Sequence, residues 1–297
     1  MITGPYARAD ASLRGLAVGD AFGSCFAIPA NRPALQSRSL LLGPWRWTDD
    51  TEMACSIVQV LDRFGRIEQD ALAASFAEHH DLYRDYGPGT NRILRLIRNK
   101  GGDWRDLARQ ARGGLGSWGN GAAMRVAPLG AFFADDMDRV VREAAASAEV
   151  THAHPEGVAG AIAVAVAAAL AFSAPQLRGG AFLDAVAERT PRSRVRDGID
   201  AAQALRDPHS AAEALGNGSE ISAPDTVPFC LWIVAEYPDD FAEACWITAD
   251  VGGDADTTCA IVGGILAAGL GLAAVPADWL DRCEPLPDWA APVRPEN

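Results

Sequence analysis

"DTEMACSIVQVLDRFG", residues 50 to 65, decides the fold class. Met53, Ile57, Val58 and Leu61 recur at the spacing that gathers side chains on one face of an α-helix, and Gly65 stops the run. The same period runs through "QDALAASFAEHHDLY" (69–83), "GAAMRVAPLGAFFA" (121–134), "MDRVVREAAASAEV" (137–150) and "DTVPFCLWIVAEY" (225–237). Nowhere does a run alternate as a sheet with one wet face would. "RSLLLGPWRW" (38–47) is the one candidate strand, and a short loop fits it equally well. The connections are short and marked by Gly or Pro, and no linker, repeat or low-complexity tract divides the chain. The expectation is one all-α domain over residues 1–297.

Two uncharged stretches, 157–177 and 257–277, have the length of membrane spans. Ala and Gly dominate both, and Pro175 and Pro276 cut them near their ends. They read as helices buried in a bundle, where small residues let backbones approach closely. "MITGPYARAD" at the start lacks the apolar core of a signal peptide. The six cysteines form no C-x-x-C pair and sit mostly among apolar residues, as reduced, buried thiols do. A cytoplasmic monomer with no membrane partner is expected. The formal net charge of −13 repels phosphate backbones, which argues against general nucleic-acid binding and asks for a cation wherever an anionic substrate is held. The polar stretch 175–220 reads as peripheral helices that carry no chemistry.

Chemistry gathers where acids precede apolar helices. Thr48, Asp49 and Asp50 stand before a helix expected to start near Thr51. "GGDADTT" (252–258) places Asp254, Asp256 and Thr257 after a Gly-Gly bend and before the apolar run. Helix capping would explain one acid at each place. Hard divalent cations would explain two, because carboxylate and hydroxyl oxygens are their preferred ligands. "GSWGNG" offers a third element. Gly116, Gly119 and Gly121 let a backbone approach a ligand, and Ser117 and Asn120 add donors. The loop fits a diphosphate cradle with Trp118 as a stacking face, or else a Gly-rich turn around a core tryptophan. His152 and His154 in "THAHP" are poor candidates for an oxygen-rich metal site; Thr151 and His152 read as caps of the following helix. His79 and His80 read as surface residues, and Asp20 as a hydrogen-bonding support of the acid cluster.

Five motifs in order, "GLAVGDAFGS" (15–24), "WTDDTEMA" (47–54), "GSWGNGAAMRVAPLG" (116–130), "THAHPEGVAGA" (151–161) and "GGDADTTCAIVGGILAA" (252–268), resemble the ADP-ribosylglycohydrolases of the dinitrogen-reductase-activating and ADP-ribosyl-acceptor-hydrolase type. The resemblance covers most of the chain. It implies an orthogonal helical bundle with two Mg2+ or Mn2+ ions at helix N-termini, held by Thr48, Asp49, Asp50, Asp254, Asp256 and Thr257. It implies catalytic roles for Asp49, Asp50 and Asp256, and substrate contacts from the 116–121 loop and His152. The implied reaction is metal-dependent hydrolysis of the bond between ADP-ribose and an acceptor such as an arginine or serine side chain. Other ADP-ribosyl compounds, or a binding module without turnover, are the alternatives. One departure stands out: the family's flap glutamate corresponds to Ala27, and no acid occurs from Ala21 to Thr48. A more open cleft is expected there.

Overall fold

Glycines in the first helix set the architecture. The computed structural model describes residues 4–290. Helix Pro5–Phe26 carries Gly15, Gly19 and Gly23 at four-residue intervals, so all three lie on one face. That face meets helix Ala255–Leu270. A methyl at Gly15 would overlap the side chain of Ala267; at Gly19 it would strike the Cys259 carbonyl, and at Gly23 the Ala255 carbonyl. The two helices therefore pack backbone against backbone, with Ser12 Oγ donating to the Gly264 carbonyl at 2.8 Å. Gly130 in helix Ala127–Phe132 sits the same way against the Ala165 carbonyl of helix Pro155–Ser173.

Sixteen α-helices and no strand occur among the described residues. The all-α expectation holds. Residues 38–47 form no strand; an isolated bridge pairs Trp45 with Cys283. Helix Pro155–Ser173 is apolar and long enough to cross a membrane, and 67% of its apolar window is buried inside the bundle. Helix Ala255–Leu270 is buried over most of its length. Helices Gly179–Arg189, Arg194–Ala202 and Pro208–Leu215 lie against Pro155–Ser173 and Ala223–Glu236 as an outer layer. All six cysteines are free; Cys55, Cys230, Cys245 and Cys259 are buried, while Cys25 and Cys283 are partly exposed.

Two local expectations need correction. His80 is buried, with Nε2 2.7 Å from Asn91 Oδ1, and His79 stacks on Trp289. The helical period could not show that the loop after it and the C-terminal segment fold over this pair. The cap of helix Pro155–Ser173 is His154, whose Nδ1 accepts from the Glu156 amide; Thr151 and His152 lie one turn back and serve elsewhere.

Candidate active site

Two helices begin with acids and do not use them as caps. Asp103, Asp136, Ser193, Asp207 and Asp240 each accept a first-turn amide in the ordinary way. Thr48 precedes helix Asp49–Phe64, which starts two residues earlier than the apolar period implied, and makes no side-chain cap. Asp254 precedes helix Ala255–Leu270 and makes none either. The capping explanation fails at both places.

Asp20 ties the first of these mouths together. It is fully buried and accepts from the Thr48 amide at 2.9 and 3.0 Å, the Thr48 hydroxyl at 2.9 Å, the Thr51 amide at 3.2 Å and the Thr51 hydroxyl at 2.6 Å. Its expected supporting role is what the geometry shows. Thr48 Oγ1 also lies 2.8 Å from Asp50 Oδ2. A hydroxyl has one hydrogen, so it satisfies only one of these two carboxylates. Asp50 Oδ1 is buried with no partner at all. At the second mouth, Gly252 and Gly253 make the expected bend with left-handed φ of 74° and 81°. The Asp254 amide donates to the Asn217 carbonyl at 3.1 Å, and Asn120 Nδ2 donates to Asp254 Oδ2 at 2.7 Å.

The mouths meet. Burial, and then the charge of Asp256, raise the Asp49 pKa well above the carboxylate range. Burial and the neighbouring Asp20 and Asp49 do the same for Asp50. Burial chiefly pushes Asp20 and Asp254 up to about 7, with Asp256 adding to both. Each shift records negative charge crowded into a low-dielectric place without a counter-charge. Among the described residues no three carboxylate, imidazole or thiol groups converge tightly enough to form a ligand set by themselves.

A cavity of about 400 Å3 opens on this cluster. Asp49, Asp254, Asp256 and Thr257 line it, and Thr48 and Asp50 lie buried behind. Ser117, Gly119, Asn120, Gly121 and His152 also line it. Gly116 and Trp118 do not. Gly116 has φ +77° and abuts the Ala153–His154 backbone. Trp118 is half-buried, edge-on to His154 and 4.2 Å beneath the Arg112 guanidinium.

Sequence reasoning missed a third wall. Asp85, Arg92 and Arg112 come to the cavity from one side, and Glu220 and Ile221 from another. Glu220 corrects the reading of 175–220 as free of chemistry. Asp85 (φ +59°), Arg112 (φ +50°) and Ile221 (φ +50°) are non-glycine residues in the left-handed region, a strain that concentrates at functional sites. Such strain is invisible in a sequence. The loops are anchored to the acid cluster: the Asp49 amide donates to the Arg84 carbonyl at 2.8 Å, next to Asp85. Arg84 is in turn fixed over the Trp47 ring and by Glu284 at 2.7 Å.

Comparison with known proteins points one way. The sequence profile of the ADP-ribosylglycohydrolase family matches residues 1–294. Over 275 residues the chain is 32% identical to ADP-ribosylhydrolase ARH3 of Homo sapiens, spanning 80% of this chain and 74% of that one. It is 28% identical over 295 residues to ADP-ribosylarginine hydrolase Tri1 of Serratia proteamaculans, spanning 93% and 75%. A solved structure described as an ADP-ribosylglycohydrolase-related protein complex aligns with TM-score 0.62 at 24% identity, over 94% of this chain and 93% of that one, a likeness of fold.

Proposed function

The chain belongs to the ADP-ribosylglycohydrolase family, and on that footing we propose that it is a divalent-cation-dependent hydrolase of the glycosidic bond between ADP-ribose and a protein side chain. The observation that carries this reading is the uncapped pair of acidic helix mouths sharing one cavity with a glycine-rich loop. One end suits a sugar to be cleaved, the other a diphosphate.

The donor set fits a cation. Asp50 Oδ1 lacks a partner, one Thr48 hydrogen stands between two carboxylates, and four aspartates are pushed toward protonation by burial and by one another. Positive charge relieves all three. Thr48, Asp49 and Asp50 on one side and Asp254, Asp256 and Thr257 on the other would hold two ions, and their hard oxygens suit magnesium or manganese. When bound, such ions lower the pKa of water and withdraw charge from ribose oxygens.

The chain's own residues set the register of the substrate. Asp20 fixes the first mouth through Thr48 and Thr51. Asn120 ties the glycine-rich loop to Asp254, so the sugar end and the diphosphate end cannot drift apart. Ser117 Oγ accepts from the Gly119 amide at 3.2 Å and orders the loop. Asp85 and Glu220 are exposed acids on loops tied to the two halves of the cluster, and they are our candidates for contact with the acceptor side chain.

The test is release of ADP-ribose from serine- and arginine-linked peptides with magnesium, with manganese and after chelation. We expect cation-dependent release and a lower melting temperature after chelation, because the aspartates then repel each other without compensation. Asp256→Asn should lose most of the turnover and bind the cation less tightly. No release from either peptide with either metal would overturn the reading.

A further inference from the structure

A buried chain of hydrogen bonds runs behind the cavity wall and ends on His152. Arg125 is fully buried between the Asn120–Ala122 turn and helix Ala127–Phe132. Its guanidinium lies 4.5 Å from the centre of the Phe76 ring, and Nη2 donates to the Ser147 carbonyl at 3.1 Å and to Thr151 Oγ1 at 2.9 Å. Thr151 Oγ1 lies 2.7 Å from His152 Nδ1. Thr151 and His152 are 1% and 4% exposed.

Counting hydrogens fixes the tautomer. A guanidinium only donates, so Thr151 Oγ1 accepts from Arg125 and must place its own hydrogen elsewhere. Among the described residues the one other polar atom bonded to this hydroxyl is His152 Nδ1. Were Nδ1 protonated, two donors would converge on one oxygen, and a buried hydroxyl hydrogen would have no acceptor, the costly arrangement in a protein interior. Nδ1 is therefore the acceptor. Burial, with Arg125 and then Arg112 adding like charge, pushes the His152 pKa down to about 3, so the ring is neutral. A neutral imidazole with a bare Nδ1 carries its hydrogen on Nε2. That nitrogen faces the glycine-rich loop: a methyl at Gly119 or Gly121 would come within 3.2 Å of it. Glycine at both positions leaves it uncovered, and His152 lines the cavity.

We infer that Arg125, acting through Thr151, locks His152 as the Nε2–H tautomer, an uncharged donor aimed into the cavity, so that the substrate contact the resemblance implies for His152 is made by a donated hydrogen. Arg125 and Thr151 are positioning residues; no proton moves along the chain. The identity of the ligand rests on the proposed function, while the tautomer does not.

Long-range 1H–15N correlation spectra of histidine-labelled protein test the tautomer directly, with His152 assigned by the signals missing from His152→Gln. The parent should show a bare Nδ1 and a protonated Nε2, unchanged between pH 8 and pH 5.5. Thr151→Val should lose the single tautomer and bind ADP-ribose about tenfold more weakly, the effect of one lost hydrogen bond. Thr151→Ser keeps the hydroxyl and should restore both. In parallel, His152→Gln, which keeps a donor, should bind within about threefold of the parent, and His152→Met about tenfold more weakly; this pair decides the matter if Thr151→Val does not fold. A protonated Nδ1 in the parent overturns the inference. So does a Thr151→Val protein with unchanged tautomer or unchanged affinity, or equal binding by the Gln and Met variants. A parent that binds no ADP-ribose defeats the proposed function instead, and the spectrum of the free protein still judges the lock.

Discussion

His152 is kept neutral by its surroundings, and that has a sign in stability. Unfolded, the ring titrates near the ordinary histidine value of about 6.5. Folded, its pKa is pushed down to about 3 by burial and then by Arg125 and Arg112. Between those values the unfolded chain binds a proton that the folded chain refuses, so stability falls as pH drops below about 6.5, by roughly 1.4 kcal/mol per unit. Asp20 and Asp254, raised to about 7 chiefly by burial, act oppositely: the stability they lend is present below their unfolded pKa and lost as pH rises through about 7. Comparing His152→Gln with the parent separates the two effects. Between pH 7 and pH 5 the stability difference, read from urea midpoints, should move in favour of the variant by about 2 kcal/mol. A difference that stays constant would mean the imidazole titrates normally in the fold. The sequence reading makes His152 a cap of the following helix, a role that His154 fills, because burial beneath Arg125 is a tertiary fact.

The two helix mouths were readable as elements because their signals are local: acids, a bend, then an apolar period. What sequence could not give is how they are brought together. Gly19 abuts Cys259 and Gly23 abuts Ala255 and the Asp256 backbone, so the glycine face aligns Asp20 with both mouths. Gly19→Ala forces a methyl into a carbonyl and should cost about 3 kcal/mol or more, since overpacked contacts of this kind are not relieved by rotamer changes. Its melting temperature and its divalent-cation affinity should fall together; a variant that melts early yet binds cations as the parent does would show that the helix contact does not set the site. Ala27 lies one turn beyond Gly23, exposed and outside the cavity lining. Ala27→Glu should leave turnover on a small ADP-ribosyl substrate within about tenfold and discriminate more strongly against bulky acceptors, as a gate would. A gain of several hundredfold on serine- or arginine-linked peptides would instead make that carboxylate a catalytic group. The wall built from Asp85, Arg112 and Glu220 left no local signal, since each sits in an unremarkable polar stretch and acquires its place from loops stitched to the acid cluster.

At the scale of the whole molecule, charge is unevenly spread. Residues 88–114 hold six arginines and one lysine against Asp103 and Asp106, in a chain whose net charge is −13. Only Arg105 among these cations is ion-paired within the described residues, and Arg92 and Arg112 reach the cavity. The rest of the chain is net acidic, so the approach of an anionic nucleotide should be steered to this wall. Raising salt from 50 to 500 mM should increase KM several-fold and leave kcat nearly unchanged, because screening acts on encounter and not on the enclosed site. Arg92→Gln with Arg95→Gln should flatten that dependence; an unchanged salt profile would remove the steering role. The glycine face of the first helix has a temporal consequence as well. Its partner, helix Ala255–Leu270, follows roughly 230 residues later in the chain. At the usual pace of synthesis, about 5–20 residues per second, helix Pro5–Phe26 waits on the order of 10–50 seconds for the surface it fits. Until then the half of the acid cluster at Asp49 and Asp50 has no opposite number, and the cavity it opens on cannot form. Activity arrives late and all at once, when the last long helix closes against the first.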